Sequence, residues 1–145
     1  MLDLRDGFGF DKKKADEGVN MVVGPVADTD YIVVRRTPNN EFDERIQELY
    51  LEHADAIQVL EKSDHKAAVT LDRSLYNRAM AEAVVVGFGP GITNEGKPLQ
   101  YAIDTVVKLM EDYPDLRTQV LTFSRDRSNY PLAPLPINVE KIKKQ

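Results

Sequence analysis

The octapeptide GITNEGKP, Gly91 to Pro98, fits the spacing G-x-x-x-x-G-K, in which backbone N–H groups and a lysine cradle phosphates. Pro98 stands where that chemistry needs a Ser or Thr hydroxyl for Mg²⁺, and it brings no N–H. Glu95 would set a negative charge beside the phosphates. The apolar segment before it reads as the end of a helix, and no later strand ends in a metal-holding Asp, so the stretch is expected to be a plain loop between helices. GFGPG, Gly87 to Gly91, lacks the βαβ unit that a dinucleotide turn requires. His53 and His65 are the sole imidazoles, with Glu52, Asp55 and Asp64 as neighbours, but their separation matches no metal-binding pair such as H-x-x-x-H. No serine sits in a nucleophile elbow, and the absence of cysteine removes thiolate catalysis and Cys-based zinc sites. The expectation is a chain without catalytic residues, metal or cofactor.

What must be positioned is therefore a surface. The 145 residues, 42% apolar and 30% charged, suit one folded domain. Apolar runs such as Ala83 to Val86 are far shorter than the roughly 20 residues of a membrane-spanning helix. MLDLRDGFGF shows no basic stretch leading into an apolar one, so no secretory signal is expected and the cytoplasm is the expected location. A net charge of −5 argues against a nucleic-acid binder. The charge is uneven: between Glu41 and Asp64 eight acids (Glu41, Asp43, Glu44, Glu48, Glu52, Asp55, Glu61, Asp64) face two bases (Arg45, Lys62), a local net of −6. Lys12 to Lys14, and Lys141, Lys143 and Lys144, sit at the two ends. Partners can thus be met by opposite fields at different places.

The expected fold is α+β and mainly helical: an N-terminal β-hairpin, about four helices, and an extended arm at each end. Residues 1–18, without sustained periodicity, read as an irregular N-terminal arm. Residues 19–130 form the single domain. Its hairpin spans 19–36, with β-branched runs Val19–Val23 and Tyr31–Arg35 around a Gly24-Pro25 loop. Its helical part spans 40–127. Phe42, Ile46, Leu49, Tyr50, Ile57 and Leu60 make one amphipathic face with Asn39 or Asn40 as N-cap, which turns most of the acidic cluster to solvent. A second helix is expected from Ser63-Asp64 to Val86, ended by GFGPG. A third has Pro98 in its first turn and the stripe Leu99, Ile103, Val106, Val107 and Met110. After the break at Tyr113-Pro114-Asp115, a fourth carries Leu116, Val120, Leu121 and Phe123. Residues 131–145, with three prolines between Pro131 and Pro136, read as an extended tail.

Phe8-Gly9-Phe10 beside Lys12, Lys13 and Lys14 has the make-up of a recognition arm, the alternative being one Phe in the core and solvated lysines. The order of such phrases along the chain is informative. FDKKKADEGV leading into a hairpin that ends YIVVRRTPN resembles the start of the tail assembly chaperones of long-tailed bacteriophages, where a lysine-rich DxKKxxEGV phrase precedes a strand and a basic turn with Asn and Pro follows. AEAVVVGFGPGITNEGKPLQYAIDTVVKLMEDYPDLRTQVLTFSRDRSNY is similar to that family's later half, from an apolar helix end through a GKP phrase and a DxP break to a final NY. The likeness runs over residues 10 to 130. Asn20 and Met21 stand where the family often has an aromatic, and Phe88 where it often has Trp.

The resemblance implies a non-enzymatic protein that binds the tape-measure protein and the tail-tube subunits during tail morphogenesis, in the cytoplasm of the infected host, with self-association left open. It also implies a short and a longer, ribosomally frameshifted form, for which an A-rich run encoding Lys143-Lys144 is a candidate slippery site. A structural tail or neck component of the virion is the alternative. A client-binding helper needs exposed apolar surface flanked by charge. The candidate partner-binding residues are therefore Phe8, Phe10, Lys12, Lys13, Lys14, Phe88, Leu135 and Ile137, on the two arms and the glycine-rich loop.

Overall fold

The computed structural model describes Met1 and residues 3–133. Its elements in chain order are α1 (Leu4–Phe8), α2 (Lys12–Glu17), β1 (Val19–Val22), β2 (Tyr31–Val34), α3 (Asn40–Glu52), α4 (Ala54–Ser63), α5 (His65–Ala83), β3 (Val85–Phe88), β4 (Thr93–Asn94), β5 (Lys97–Pro98), α6 (Ile103–Asp112) and α7 (Pro114–Arg125), then one 3-10 turn (Arg127–Asn129). The architecture is α+β and mostly helical. Among the described residues no helix is long and apolar enough to cross a membrane.

The expected hairpin is present, with β1 antiparallel to β2 in the register Val19↔Val34 and Met21↔Ile32. A third strand, β3, corrects the expectation of a hairpin followed only by helices: it pairs antiparallel with the far side of β2, giving the order β1-β2-β3. Val84, Val85 and Val86 had read as the end of the second helix, which instead stops at Ala83. Consecutive β-branched residues are poor helix formers and good strand formers, and a short apolar run cannot be typed by periodicity alone. GFGPG then continues along β2, with Gly89 N–H donating to Tyr31 O at 2.7 Å and Gly91 N–H to Thr29 O at 2.9 Å.

GITNEGKP is not an interhelical loop but a small hairpin of its own, β4 and β5. Its turn residues Glu95 and Gly96 both have positive φ, 52° and 77°, the geometry of the tight turns that join two-residue hairpins. Pro98 belongs to β5, so the third helix starts at Ile103, five residues later than its sequence suggested. The first long helix also divides. His53, at φ −109° and ψ 10°, separates α3 from α4, while the seven-residue step from Tyr50 to Ile57 keeps the apolar stripe in phase across the break. Asn39 is the N-cap of α3, accepting from Phe42 N–H at 2.8 Å, and Asp64 caps α5 in the same way through Ala67 N–H at 3.2 Å. All eight acids from Glu41 to Asp64 are exposed, as expected.

The N-terminal arm is neither irregular nor loose. Asp3 and Asp11 accept from Arg5 N–H and Lys14 N–H and so cap α1 and α2, helices too short to leave a periodic signature. The arm is tied down by Asp11 N–H to Tyr130 O at 2.9 Å, Arg36 N–H to Ala15 O at 3.1 Å and an Arg127 guanidinium donor to Gly9 O at 3.2 Å. One core joins the buried face of the sheet (Met21, Ile32, Val34, Val85) to α3 (Phe42, Leu49), α5 (Leu75, Ala79, Met80), α6 (Val106, Met110) and α7 (Val120). Tyr130, fully buried, closes it by donating its hydroxyl to Val34 O at 2.9 Å.

Burial holds the Tyr130 phenol well above its ordinary pKa and also raises that of Tyr101, which donates to Val85 O at 2.9 Å. Tyr50 is pushed up to about 12, by burial first and then by its hydrogen bond to Asp72. Above the ordinary phenol value of 10.0 the unfolded chain releases protons that the folded chain keeps. The protein thus binds more protons folded than unfolded, and its stability must fall as pH rises past that point. Urea-unfolding midpoints at successive pH values are expected to drop from about pH 10 upward, and the drop is expected to be shallower in Tyr130→Phe.

Candidate functional site

Where β2 ends, the chain turns sharply through Arg35-Arg36-Thr37-Pro38-Asn39 into α3, and this corner wraps the C-terminal end of α5. Ala83 O accepts from Arg35 Nη1 at 3.2 Å and from Asn39 Nδ2 at 3.1 Å, which places a cation at the negative end of the helix. Arg35, 8% exposed, also pairs with Glu41 at 2.9 Å. The same Asn39 amide donates to Arg36 O at 3.0 Å, so one side chain caps α3 and locks the turn that precedes it.

Against this corner lies α2, and between them opens a cleft of about 580 Å³. The arm contributes Phe10, Lys12, Ala15 and Asp16, and the corner contributes Arg35, Arg36 and Pro38 through Glu41. The Arg36 guanidinium lies over the face of Phe10, 4.2 Å from the ring centre, and its side chain donates to no acceptor among the described residues. A flat cation on an aromatic shelf, beside the exposed Lys12, is suited to receive a carboxylate, while Asp16, one turn after Lys12 on α2, suits a cation and Glu41 is engaged by Arg35. Among the described residues no hydroxyl, thiol or imidazole lines the cleft. Its residues are equipped to hold a charged segment by ion pairs and stacking.

The candidates named from sequence fall in several places. Phe10 and Lys12 line the cleft together. Lys13 and Lys14 are exposed on α2, Lys13 lying 4.0 Å from Glu17, and Phe8 is 66% exposed at the end of α1, outside the cleft. Phe88 packs half-buried against the core, with its ring edge-on to Tyr101 at 5.8 Å. It sits at the end of β3 away from the cleft, since Val85 pairs with Val34 beside the corner while Phe88 pairs with Ile32. Leu135 and Ile137 lie outside the described residues. Sequence reasoning passed over Arg35 and Arg36, although two adjacent arginines closing a β-branched strand and followed by Thr-Pro-Asn-Asn signal a charged turn. His53 and His65 are not brought together: His53 Nδ1 is 2.9 Å from Leu49 O at the α3–α4 break, and His65 is exposed in the first turn of α5. Among the described residues no group of three or more His, Asp or Glu side chains gathers as a metal set.

No family model, curated protein or solved structure matches this chain.

Proposed function

We propose that this chain is a tail assembly chaperone of the kind found in long-tailed bacteriophages, a non-enzymatic protein that holds the tape-measure protein and tail-tube subunits during assembly in the host cytoplasm. One observation carries the reading. Two separate phrases of the family resemblance, Phe10 to Val19 and Tyr31 to Asn39, meet in space: Phe10, Lys12, Ala15 and Asp16 of the first line one cleft with Arg35, Arg36, Pro38 and Asn39 of the second. Nothing in forming a hairpin requires the lysine-rich segment to dock against the arginine corner. A shared binding surface accounts for both phrases at once. A cleft whose two walls each carry cations and acids around an aromatic ring also suits reversible capture of a charged polypeptide segment.

The test is the abundance of the protein, by targeted mass spectrometry, in infected cells and in purified particles, relative to the tube subunit. An assembly chaperone is plentiful in the lysate and absent from the finished particle. A fixed copy number within particles would instead make it a structural tail or neck component.

A further inference from the structure

The α3–α4 corner carries a second surface, on a different side chain set from the cleft. On α3, Ile46, Tyr50 and Leu51 line an open hollow of about 440 Å³, and on α4 Ala54 and Ile57 line another of about 360 Å³, with Tyr50 common to both. The two hollows share Tyr50 and follow one another along α3 and α4 across the His53 break; taken together they make up the α3–α4 groove. Leu51 is 78% exposed, and Val59 of α4 is 64% exposed. No residue of α4 is buried, although the helix carries Ile57, Val59 and Leu60.

The surroundings specify what fits there. Glu61 lines the groove on α4. On α3, Glu44 lies seven residues before Leu51, so helical spacing sets it in line with the groove wall. Neither Glu61 nor Glu44 forms an ion pair among the described residues. Asp72 of α5 accepts the hydroxyl proton of Tyr50 and adds a third carboxylate at the border. The neighbouring cation of α3, Arg45, is engaged by Glu48, Glu52 and Glu82, at 3.2, 3.8 and 2.5 Å, and Lys62 is the single cation of α4. An apolar floor in a segment that carries eight acids against two bases is complementary to one kind of occupant.

We infer that the α3–α4 groove docks an amphipathic helix of a partner protein whose apolar stripe is flanked by Lys and Arg. The stripe covers Tyr50, Leu51 and Ile57, and the flanking cations meet Glu44 and Glu61, which is helix-in-groove recognition with charge selecting the partner. The inference does not depend on the assembly reading, which rests on the Phe10–Arg36 cleft.

The probe is a fluorescein-labelled synthetic helix of about 18 residues, five turns, with leucines at i, i+3 and i+4 spacing and lysines elsewhere; a second peptide replaces every lysine by glutamate. In anisotropy titrations at physiological salt the lysine peptide is expected to bind saturably at one per chain, and the glutamate peptide at least about tenfold more weakly. The double variant Leu51→Arg/Ala54→Arg, at two exposed positions, is expected to lose at least about tenfold in affinity. Gln119→Arg/Thr122→Arg on α7 adds the same charge elsewhere and is expected to lose less than about threefold. Equal losses in the two variants would reduce the effect to net charge and overturn the proposal. So would equal binding of both peptides, or no binding of the lysine peptide. A wild-type dimer in sedimentation that the groove variant alone dissociates would also overturn it, in favour of a second copy of this chain as the occupant.

Discussion

Gly18→Ala is expected to cost about 2–6 kcal/mol of unfolding free energy, from two additive causes. Gly18 has φ 92° and ψ 157°, a region open essentially to glycine alone, where a side chain brings about 1–3 kcal/mol of strain. The added Cβ would also lie 2.8 Å from Val33 Cγ1 and 3.2 Å from Val86 Cγ2, on the two adjacent strands β2 and β3, which cannot part without disturbing their ladder. Forcing a methyl into such a space costs about 1–3 kcal/mol more. The residue is the junction between α2 and β1, and its N–H closes α2 on Lys14 O at 2.9 Å. The loss therefore falls on the seat of α2 against the arginine corner as well as on the sheet. Urea denaturation followed by far-UV circular dichroism measures it, and a loss under about 0.5 kcal/mol would mean that Gly18 holds neither this conformation nor this contact.

The second large effect belongs to Tyr130, whose ring sits edge-on to Phe123 at 6.2 Å and is wholly enclosed. Tyr130→Ala is expected to destabilise by about 3–5 kcal/mol, the range for deleting a buried aromatic ring and leaving a cavity. Tyr130→Phe keeps the packing and removes the hydrogen bond to Val34 O, at a cost of about 1–2 kcal/mol. The ratio of the two losses separates packing from polar contribution. Because Tyr130 O also accepts from Asp11 N–H, a cavity here loosens the N-cap of α2. Amide exchange in residues 11–17 is therefore expected to accelerate in the alanine variant more than in the phenylalanine variant.

These residues also mark what the sequence revealed and what it did not. The hairpin was legible because β-branched runs flank a Gly-Pro loop. The starts of α3 and α5 were legible because Asn39 and Asp64 are N-cap types ahead of apolar periodicity, whereas Pro114 and Asp115, read as a break between helices, form the first turn of α7. β3 was hidden because Val84–Val86 continues the apolar character of α5 without a break, and only pairing with β2 decides its type. The docking of the arm was hidden for a different reason: it depends on Asp11–Tyr130 and Ala15–Arg36 contacts between distant segments, which no local pattern encodes. Half of the cleft was visible as an aromatic and lysines. Arg36 was not singled out, since its role comes from lying over Phe10, twenty-six positions away in the chain.

The most direct test of the proposed assembly role is to take the tape-measure protein that the proposal expects the same genome to encode, to express it alone, with the wild-type chain, and with the Lys12→Glu/Arg36→Glu variant, and to measure its soluble fraction and co-purification. A tape-measure protein that is soluble and bound with the wild-type chain, but insoluble alone and with the cleft variant, is the predicted result. Equal solubility in all three, with no co-purification, would contradict the account.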